Sequence, residues 1–452
     1  MTYFYDFMFN PYILAFLGGL VAFLLAYRII PVIIYTVRAK NLMDEPGDRS
    51  VHSDKTPTLG GVGMFAAFVV SLILFGIVVG LERPDLVKLL AITLATIILM
   101  FLGLKDDLIA LAPRKKFLGQ LIASGIVILL TDVRITSLEG LLGVGELPYL
   151  VSVLFTIFVF ILVINAFNLI DGIDGLAGAI AIIASASFGL FFLLNKEYLM
   201  VLVSFCLIGA IVAFVRYNLS DTHKLFMGDS GSMVIGYLLA YQGIRFLELN
   251  LSGSSSFTIS NGPVLLLAIL SFPLLDTLRV FIIRAKERRS PFDADRNHIH
   301  HRLLERGLSH RQATIILAII NILIIELAIL VQDLEINIQL ITVTLLGSLL
   351  YMLLFNLNRL REKAVKLIDI RNSRNQEKYV KMDVPDGFVS QRIKSSPINH
   401  LVNEKNTIYS STVTKDKEWN IGKKRVRELE KSKKHLVVSK KLKDKSKSSK
   451  LK

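Results

Sequence analysis

Long apolar runs, separated by short polar breaks, limit the fold of this sequence more than any other feature. A helix of about 20 apolar residues crosses a bilayer. Apolar residues cover every helical face within the runs, which excludes a soluble amphipathic bundle. The sequence therefore predicts an all-α, polytopic integral membrane protein with about eleven transmembrane helices. Their predicted positions are 11–36, 59–81, 87–104, 117–131, 149–167, 175–194, 199–215, 231–247, 262–283, 313–331 and 336–356.

Lysine and arginine in the breaks predict the orientation, because cytoplasmic loops carry an excess of both. The breaks are numbered from the N-terminus. The odd-numbered breaks hold 18 lysines and arginines, whereas the helix ends on the other side of the membrane hold five. We therefore expect the N-terminus outside, the C-terminus in the cytoplasm, and insertion in the inner (plasma) membrane. The odd-numbered breaks are 37–58, 105–116, 168–174, 216–230 and 284–312.

Four polar clusters lie at odd-numbered breaks or at the helix ends beside them. They occupy 105–107, 165–175, 226–232 and 298–301. Every second break faces the same compartment, so these carboxylates, amides and imidazoles are expected to converge at one membrane surface. The orientation used only lysine and arginine, and its agreement with these clusters is therefore independent.

Asp106 and Asp107 end the third span, and Lys116 precedes the fourth. Adjacent carboxylates at a membrane boundary repel each other unless they share a cation or a proton. An ordinary acidic helix end is the alternative, and the helix dipole disfavours it at a C-terminus. The pair therefore indicates binding of a divalent metal or abstraction of a proton.

The stretch 165–178 is the most specific in the sequence. Asn165, Asn168 and Asp171 recur every three residues, which places them on one face of a continuing helix. Two Asp-Gly steps then allow a tight turn that includes Asp174. Amides that read a base or sugar, and carboxylates that place a metal, fit this pattern better than a purely structural turn.

Asp229 begins the eighth span within Phe226-Met-Gly-Asp-Ser-Gly-Ser. It could be an ordinary N-cap or a ligand for Mg²⁺, which takes one or two carboxylates plus substrate phosphates. Both interpretations stay open from the residues alone.

Cations accompany the first and last odd-numbered breaks. Lys55 lies near the glycine pair that opens the second span, a pattern that suits phosphate or a plain connecting loop. In the last break, Arg296 accompanies three histidines, His298, His300 and His301. Cations and imidazoles favour a pyrophosphate clamp. Zinc is the alternative, without a cysteine partner.

The segment 357–452 differs abruptly in composition from 1–356, so we predict two parts: a transmembrane domain and a basic, disordered cytoplasmic tail. The positive charge suits anionic headgroups, and no nucleic-acid partner is expected. Cys206 is the single cysteine, which excludes an intramolecular disulfide.

These motifs together resemble the polyprenyl-phosphate N-acetylhexosamine-1-phosphate transferases of glycosyltransferase family 4, over roughly residues 10–356. The motifs are Asp-x-Pro-x-x-Arg-x-x-His with Gly-Gly at 44–61, Asp106-Asp107 with Lys116, the 165–178 stretch, the 226–232 stretch, and Ser-Pro-Phe followed by His-Ile-His-His. The last motif resembles the branch that uses UDP-N-acetylglucosamine. Lys55–Gly61 resembles instead the muramoyl-pentapeptide phosphotransferases of peptidoglycan synthesis.

The resemblance implies transfer of N-acetylglucosamine-1-phosphate from its UDP-sugar to undecaprenyl phosphate, as the first membrane step of a cell-surface polysaccharide such as lipopolysaccharide. It implies Mg²⁺, with Mn²⁺ as a substitute, and a possible homodimer. The residues fall into three groups by implied role. Asp229 and Asp106 are expected to hold the metal. Asp106 or Asp107 is expected to accept a proton, and His298, His300 and His301 are expected to be catalytic and to hold the sugar-phosphate. The residues expected to bind substrate are Lys55, Lys116, Asn165, Asn168, Asp171, Asp174 and Arg296.

Two other classes of function fit parts of the sequence. A carrier could be built from eleven spans, although its site usually lies near the membrane midplane. A membrane scaffold would explain the basic tail and leave the paired aspartates unexplained.

Overall fold

The structure is a computed structural model of the chain and describes residues 10–40, 43–44, 56–252, 255–288 and 298–353. Lys55, Arg296 and the basic segment 357–452 lie outside the described residues. Predictions for these three therefore stay predictions.

The described part of the chain is mostly α-helical. Each of the eleven predicted spans coincides with a helix, and the ninth with two. The helices are α1 Pro11–Ala39, α2 Gly60–Val79, α3 Arg83–Ile109, α4 Pro113–Thr131, α5 Tyr149–Ile170, α6 Leu176–Leu194, α7 Tyr198–Asn218, α8 Gly228–Leu251, α9 Gly262–Ile269, α10 Ser271–Lys286, α11 Ile299–Glu305, α12 His310–Leu330 and α13 Ile336–Leu353. A two-stranded antiparallel sheet, β1 Met43–Asp44 with β2 Thr56–Pro57, was not predicted.

Eight of the described helices are long and apolar enough to cross a membrane, or nine if α9 and α10 form one bent span. The fourth and eighth predicted spans, α4 and α8, are outside this set. The structure therefore supports a multi-pass membrane protein, and the count of eleven crossings and the orientation stay predictions.

The bend of 75° between α9 and α10 has a local cause. Pro273 lacks the N–H that would bond to the carbonyl of Ile269, so the helix breaks between them. Asn321 of α12 satisfies the freed groups: its Nδ2 donates to Ile269 O (3.2 Å), and its Oδ1 accepts from Phe272 N–H (3.2 Å). The predicted span 262–283 is thus a broken helix whose backbone is satisfied by a neighbour, as membrane interiors require.

Helix α8 is the centre of the bundle, packed against α2, α3, α5 and α6. Most of its residues are buried by protein, so its polar side chains need not face lipid. Its first turn is enclosed by two glycines. A β-carbon at Gly103 would lie 2.5 Å from Ser230 Cα, and one at Gly61 would overlap the backbone of Gly231.

Candidate active site

The N-terminus of α8 is capped by a side chain from another helix. Asp107, in the last turn of α3, accepts hydrogen bonds from the backbone N–H groups of Asp229 (2.7 Å) and Ser230 (3.2 Å). These groups are unpaired within their own helix and carry its positive partial charge. The acidic end of α3 is therefore stabilised by α8, which offsets the unfavourable dipole of its own helix.

Asp229 does not cap its own helix, which settles the choice left open by the sequence against an ordinary N-cap. Its Oδ2 lies 2.5 Å from Lys116 Nζ, and its Oδ1 accepts a hydrogen bond from Asn168 Nδ2 (2.7 Å). Lys116 also forms an ion pair with Asp106. One ammonium group thus bridges two carboxylates, Asp106 of α3 and Asp229 of α8. Together with Asp107 they form what we call the carboxylate cluster.

The two asparagines of α5 have different surroundings. Asn168 reaches the cluster, where it also donates to Ser232 Oγ (3.0 Å). Asn165 donates to Gln120 Oε1 (2.8 Å) and so joins α5 to α4. No described contact links Asn165 to the carboxylates, so its placement fits a packing role better than the predicted contact with substrate.

Asp171 lies just beyond α5, close to the carboxylate cluster. Burial raises its pKa well above the ordinary value, and the negative charges of Asp229, Asp107 and Asp174 raise it further. These surroundings therefore favour the protonated form of Asp171 more than water does. A further positive charge among these carboxylates would oppose that shift.

Asp174 is held by two partners, Lys224 and His310, that the sequence analysis did not pair with it. Lys224 Nζ lies 2.7 Å and His310 Nδ1 2.8 Å from its Oδ2. Burial alone would raise the pKa of Asp174, but the hydrogen bonds from His310 and Lys224 lower it overall. Position within basic breaks was the only sequence signal for these two partners.

The three histidines surround the start of α11, with His298 and His300 almost fully buried. The rings of His298 and His300 are stacked 5.4 Å apart, and His301 lies 4.3 Å from His300. A β-carbon at Gly172 would overlap His300 Nε2, so the histidine cluster lies directly against the turn between Asp171 and Asp174. The structure thus brings the histidines to the loop that follows α5.

His300 is enclosed without a hydrogen-bond partner for either ring nitrogen in the described part of the chain. Burial lowers its pKa to about 3, although the charge of Asp276 opposes the shift. His300 is therefore a neutral imidazole at physiological pH.

The glycine pair at the start of α2 does not offer free N–H groups to a phosphate. Gly60 N–H donates to Phe226 O (2.9 Å) and Gly61 N–H donates to Met227 O (2.8 Å). The phosphate-binding interpretation of these two amides is therefore wrong. Their hydrogen bonds fasten α2 to the segment that leads into α8.

Within the described ranges, no group of three or more His, Cys, Asp or Glu side chains is arranged to hold a metal. Asp106 and Asp229 nevertheless converge on one cation, the ammonium of Lys116. Mg²⁺ is commonly held by one or two carboxylates together with substrate phosphates and water. The donor set therefore fits Mg²⁺ and offers no closed zinc site.

Comparison with known proteins identifies the family. The model of glycosyl transferase family 4 matches residues 89–247. The chain is 31% identical over 288 residues to a decaprenyl-phosphate N-acetylglucosaminephosphotransferase of Mycobacterium tuberculosis, covering 60% of this chain and 71% of the relative. The chain belongs to glycosyl transferase family 4. The match contains α4 to α7 in full, all but the ends of α3 and α8, and the whole carboxylate cluster.

Two further relatives agree. A probable undecaprenyl-phosphate N-acetylglucosaminyl 1-phosphate transferase of Bacillus subtilis is 30% identical over 339 residues, 74% of this chain and 88% of the relative. An undecaprenyl-phosphate alpha-N-acetylglucosaminyl 1-phosphate transferase of Salmonella typhi is 27% identical over 284 residues, covering 62% and 73%. The chain is an enzyme of this transferase family.

Proposed function

We propose that this family 4 enzyme transfers N-acetylglucosamine-1-phosphate from UDP-N-acetylglucosamine to undecaprenyl phosphate. The products are undecaprenyl-pyrophosphate-N-acetylglucosamine and UMP. The relatives' names support the sugar and the lipid class. The observation that carries the proposal is the single lysine held between Asp106 and Asp229 at the end of the bundle.

The proposed reaction exchanges one phosphoanhydride bond for another. A phosphate oxygen of the lipid attacks the β-phosphorus of the UDP-sugar, and the bond from that phosphorus to the bridging oxygen breaks. The electron pair leaves with UMP, so negative charge grows on the bridge. Preorganised cations that stabilise this charge supply most of the catalysis in phosphoryl transfer.

Lys116 is the cation that we assign to the phosphates, since its ammonium lies at the carboxylate cluster. Asp106 and Asp229 would hold Mg²⁺, which when bound neutralises phosphate charge. Asn168 donates to Asp229 and so fixes the orientation of that carboxylate. Asp171 and Asp174, on the turn beside the histidines, complete the wall on which the UDP-sugar would lie.

We assign the role of proton acceptor to Asp106 or Asp107. The oxygens of both are engaged in the structure: those of Asp107 accept backbone hydrogen bonds from α8, and those of Asp106 accept from Leu111 N–H and pair with Lys116. The second pKa of a phosphate monoester is about 6. The lipid phosphate is therefore largely ionised near neutral pH, and the demand on any base is small.

The membrane context of the proposal follows from the positions of the site and the basic breaks. We place the site at the cytoplasmic face of the inner membrane, with the lipid between helices and its phosphate at the boundary. The product would then begin a cell-surface polysaccharide such as lipopolysaccharide.

The decisive experiment is UMP release by the purified full-length protein with undecaprenyl phosphate and Mg²⁺. UDP-N-acetylglucosamine should support release, and UDP-muramoyl-pentapeptide should not. Chelation with EDTA should stop the reaction, and Mg²⁺ or Mn²⁺ should restore it. Release with the muramoyl substrate alone would overturn the proposed sugar, and silence with both in folded protein would overturn the proposed reaction.

A further inference from the structure

A buried aspartate outside the carboxylate cluster holds the first histidine of the HIHH motif. Asp276 lies in α10 and has no exposed surface, and His298 is 4% exposed. Asp276 Oδ2 lies 2.7 Å from His298 Nδ1. Its Oδ1 accepts a hydrogen bond from Ile299 N–H at the start of α11 (2.8 Å).

The two contacts fix the ring and the backbone together. A buried carboxylate is costly unless its oxygens are satisfied, and here each oxygen has a donor. An ionised carboxylate only accepts hydrogen bonds. His298 must therefore carry a proton on Nδ1, which leaves Nε2 of the neutral ring to accept a hydrogen bond from a donor group of the substrate. A carboxylate that accepts a hydrogen bond from one ring nitrogen fixes both the tautomer and the orientation of the imidazole.

The fixed ring continues into the rest of the histidine cluster. His298 is stacked on His300 at an interplanar angle of 16°, and His300 lies against Gly172 in the turn after α5. Asp276 thus connects α10 to α11 and, through two stacked rings, to the loop that carries Asp171 and Asp174.

We propose that Asp276 is a positioning residue that holds His298 with Nε2 available to accept a hydrogen bond from a hydroxyl or amide group of the UDP-sugar. This inference rests on the proposed function. It assigns to the bent helix α10 a role in the transfer reaction, exercised through His298 rather than by contact with substrate.

Asp276→Asn separates this role from that of a simple helix anchor. The amide keeps an oxygen for Ile299 N–H but offers an N–H in place of the second oxygen, which reverses the hydrogen bond to His298. Loss of the partner that orients a metal-bound histidine typically costs about 10–100-fold in affinity or activity. We expect a loss of that size in kcat/KM for the UDP-sugar, with the thermal midpoint of detergent-solubilised protein nearly unchanged.

Thr277→Val is the matched control. Thr277 is the next residue of α10, is 2% exposed, and its hydroxyl has no partner in the described part of the chain. This variant also removes a buried polar group, but it leaves His298 untouched. Its kcat/KM should stay close to that of the unmodified enzyme, and an equal loss in both variants would overturn the proposal.

A double-mutant cycle with His298→Gln tests whether Asp276 acts through the ring. Residues that act as one unit give strongly non-additive effects. Asp276→Asn should therefore cost little further activity in the His298→Gln background. Full additivity would show that Asp276 acts by another route and would overturn the proposal.

Nitrogen NMR of histidine-labelled full-length protein gives a test that needs no activity and no Asp276 variant. The His298 signals are assigned by their absence in His298→Gln. A protonated Nδ1 supports the proposal, and an unprotonated Nδ1 overturns it even if Asp276→Asn fails to fold. Absence of UMP release by the unmodified enzyme would instead count against the proposed function.

Discussion

Adjacent residues of the same type make different contacts in this site. Asp106 and Asp107 are adjacent in sequence, yet the first pairs with Lys116 and the second accepts backbone hydrogen bonds from α8. The reason is geometric: consecutive residues of a helix project about 100° apart, so they meet different neighbours. Only Asp106 is left to face the same cation as Asp229.

Asp229→Asn should abolish turnover while the protein stays folded. The change removes the charge that faces Lys116 and weakens the candidate Mg²⁺ site, but it keeps an oxygen to accept from Asn168. We expect UMP release to fall by about 100-fold or more, as when electrostatic groups are lost from active sites. Size-exclusion profiles in detergent check the fold.

Asp85→Asn is the control for that change, because Asp85 pairs with Lys88 at the other end of α3. It should keep full turnover. Undiminished UMP release by Asp229→Asn would contradict the metal assignment.

His300 should make the protein less stable in acid. Its pKa is lowered to about 3 in the folded chain by burial, against an ordinary value of about 6.5. Between these values the unfolded chain binds the extra proton, so the free energy of unfolding decreases as pH falls from 6.5 towards 3. His300→Gln should therefore lose less thermal stability between pH 7 and pH 5 than the unmodified protein.

The thermal midpoint in detergent measures this difference. His223→Gln, at an exposed histidine, should behave like the unmodified protein. Equal losses of stability in all three proteins would show that His300 is not the group responsible.

The residue types of the site could be predicted from the sequence, but not which side chains contact each other. Spacing placed Asn165 and Asn168 on one helical face, yet only Asn168 contacts Asp229. Asp174 finds His310, 136 residues away. Periodicity shows which residues leave the apolar surface of a helix, and it does not show which helices are neighbours.

At the scale of the element, helix positions were predictable and their surroundings were not. Every apolar run that predicted a span coincides with a helix, because lipid and protein interiors both favour apolar side chains. For the same reason, the apolar run of α8 predicted a span, although α8 is outside the set of helices long and apolar enough to cross a membrane and is mostly enclosed by protein. In the middle of the predicted span, Pro273 indicates the break between α9 and α10. That Asn321 satisfies the freed backbone groups could not be predicted without the fold.

Gly61→Ala should weaken the contact between α2 and α8. Its new methyl group would overlap the backbone of Gly231, which a side-chain rotation cannot relieve. Overpacking of this kind costs about 1–3 kcal/mol. The first turn of α8 would move with it, so we expect a lower thermal midpoint and a loss of turnover together.

Gly125→Ala is the matched control in α4, where an added β-carbon meets no atom within 4 Å. Alanine is favoured over glycine within a helix by about 1 kcal/mol. This variant should therefore be at least as stable as the unmodified protein. Equal destabilisation by the two changes would show that close approach to α8 is not what requires Gly61.

At the scale of the whole molecule, the polar clusters converge as the alternation of breaks predicted. Contacts join the C-terminal ends of α3 and α5 to the beginnings of α4 and α8, and Gly172 brings the turn after α5 against the histidines of α11. A site at one end of the bundle suits a lipid phosphate held at a membrane boundary. A carrier would instead be expected to place its site near the midplane.

The side of the membrane that this end faces can be measured with single cysteines. Cys206 is fully buried, so it contributes little background labelling. Asp221 and Asp333 are both exposed aspartates, the first in the loop before α8 and the second between α12 and α13. The lysine and arginine bias predicts Asp221 in the cytoplasm and Asp333 outside.

In right-side-out membrane vesicles, a membrane-impermeant maleimide should label Asp333→Cys at once and Asp221→Cys only after permeabilisation. The two variants make the same exchange of aspartate for cysteine, so a difference in labelling reports side and not residue chemistry. The reverse pattern would place the carboxylate cluster outside, where a UDP-sugar made in the cytoplasm would not reach it. That outcome would overturn both the orientation and the cytoplasmic site.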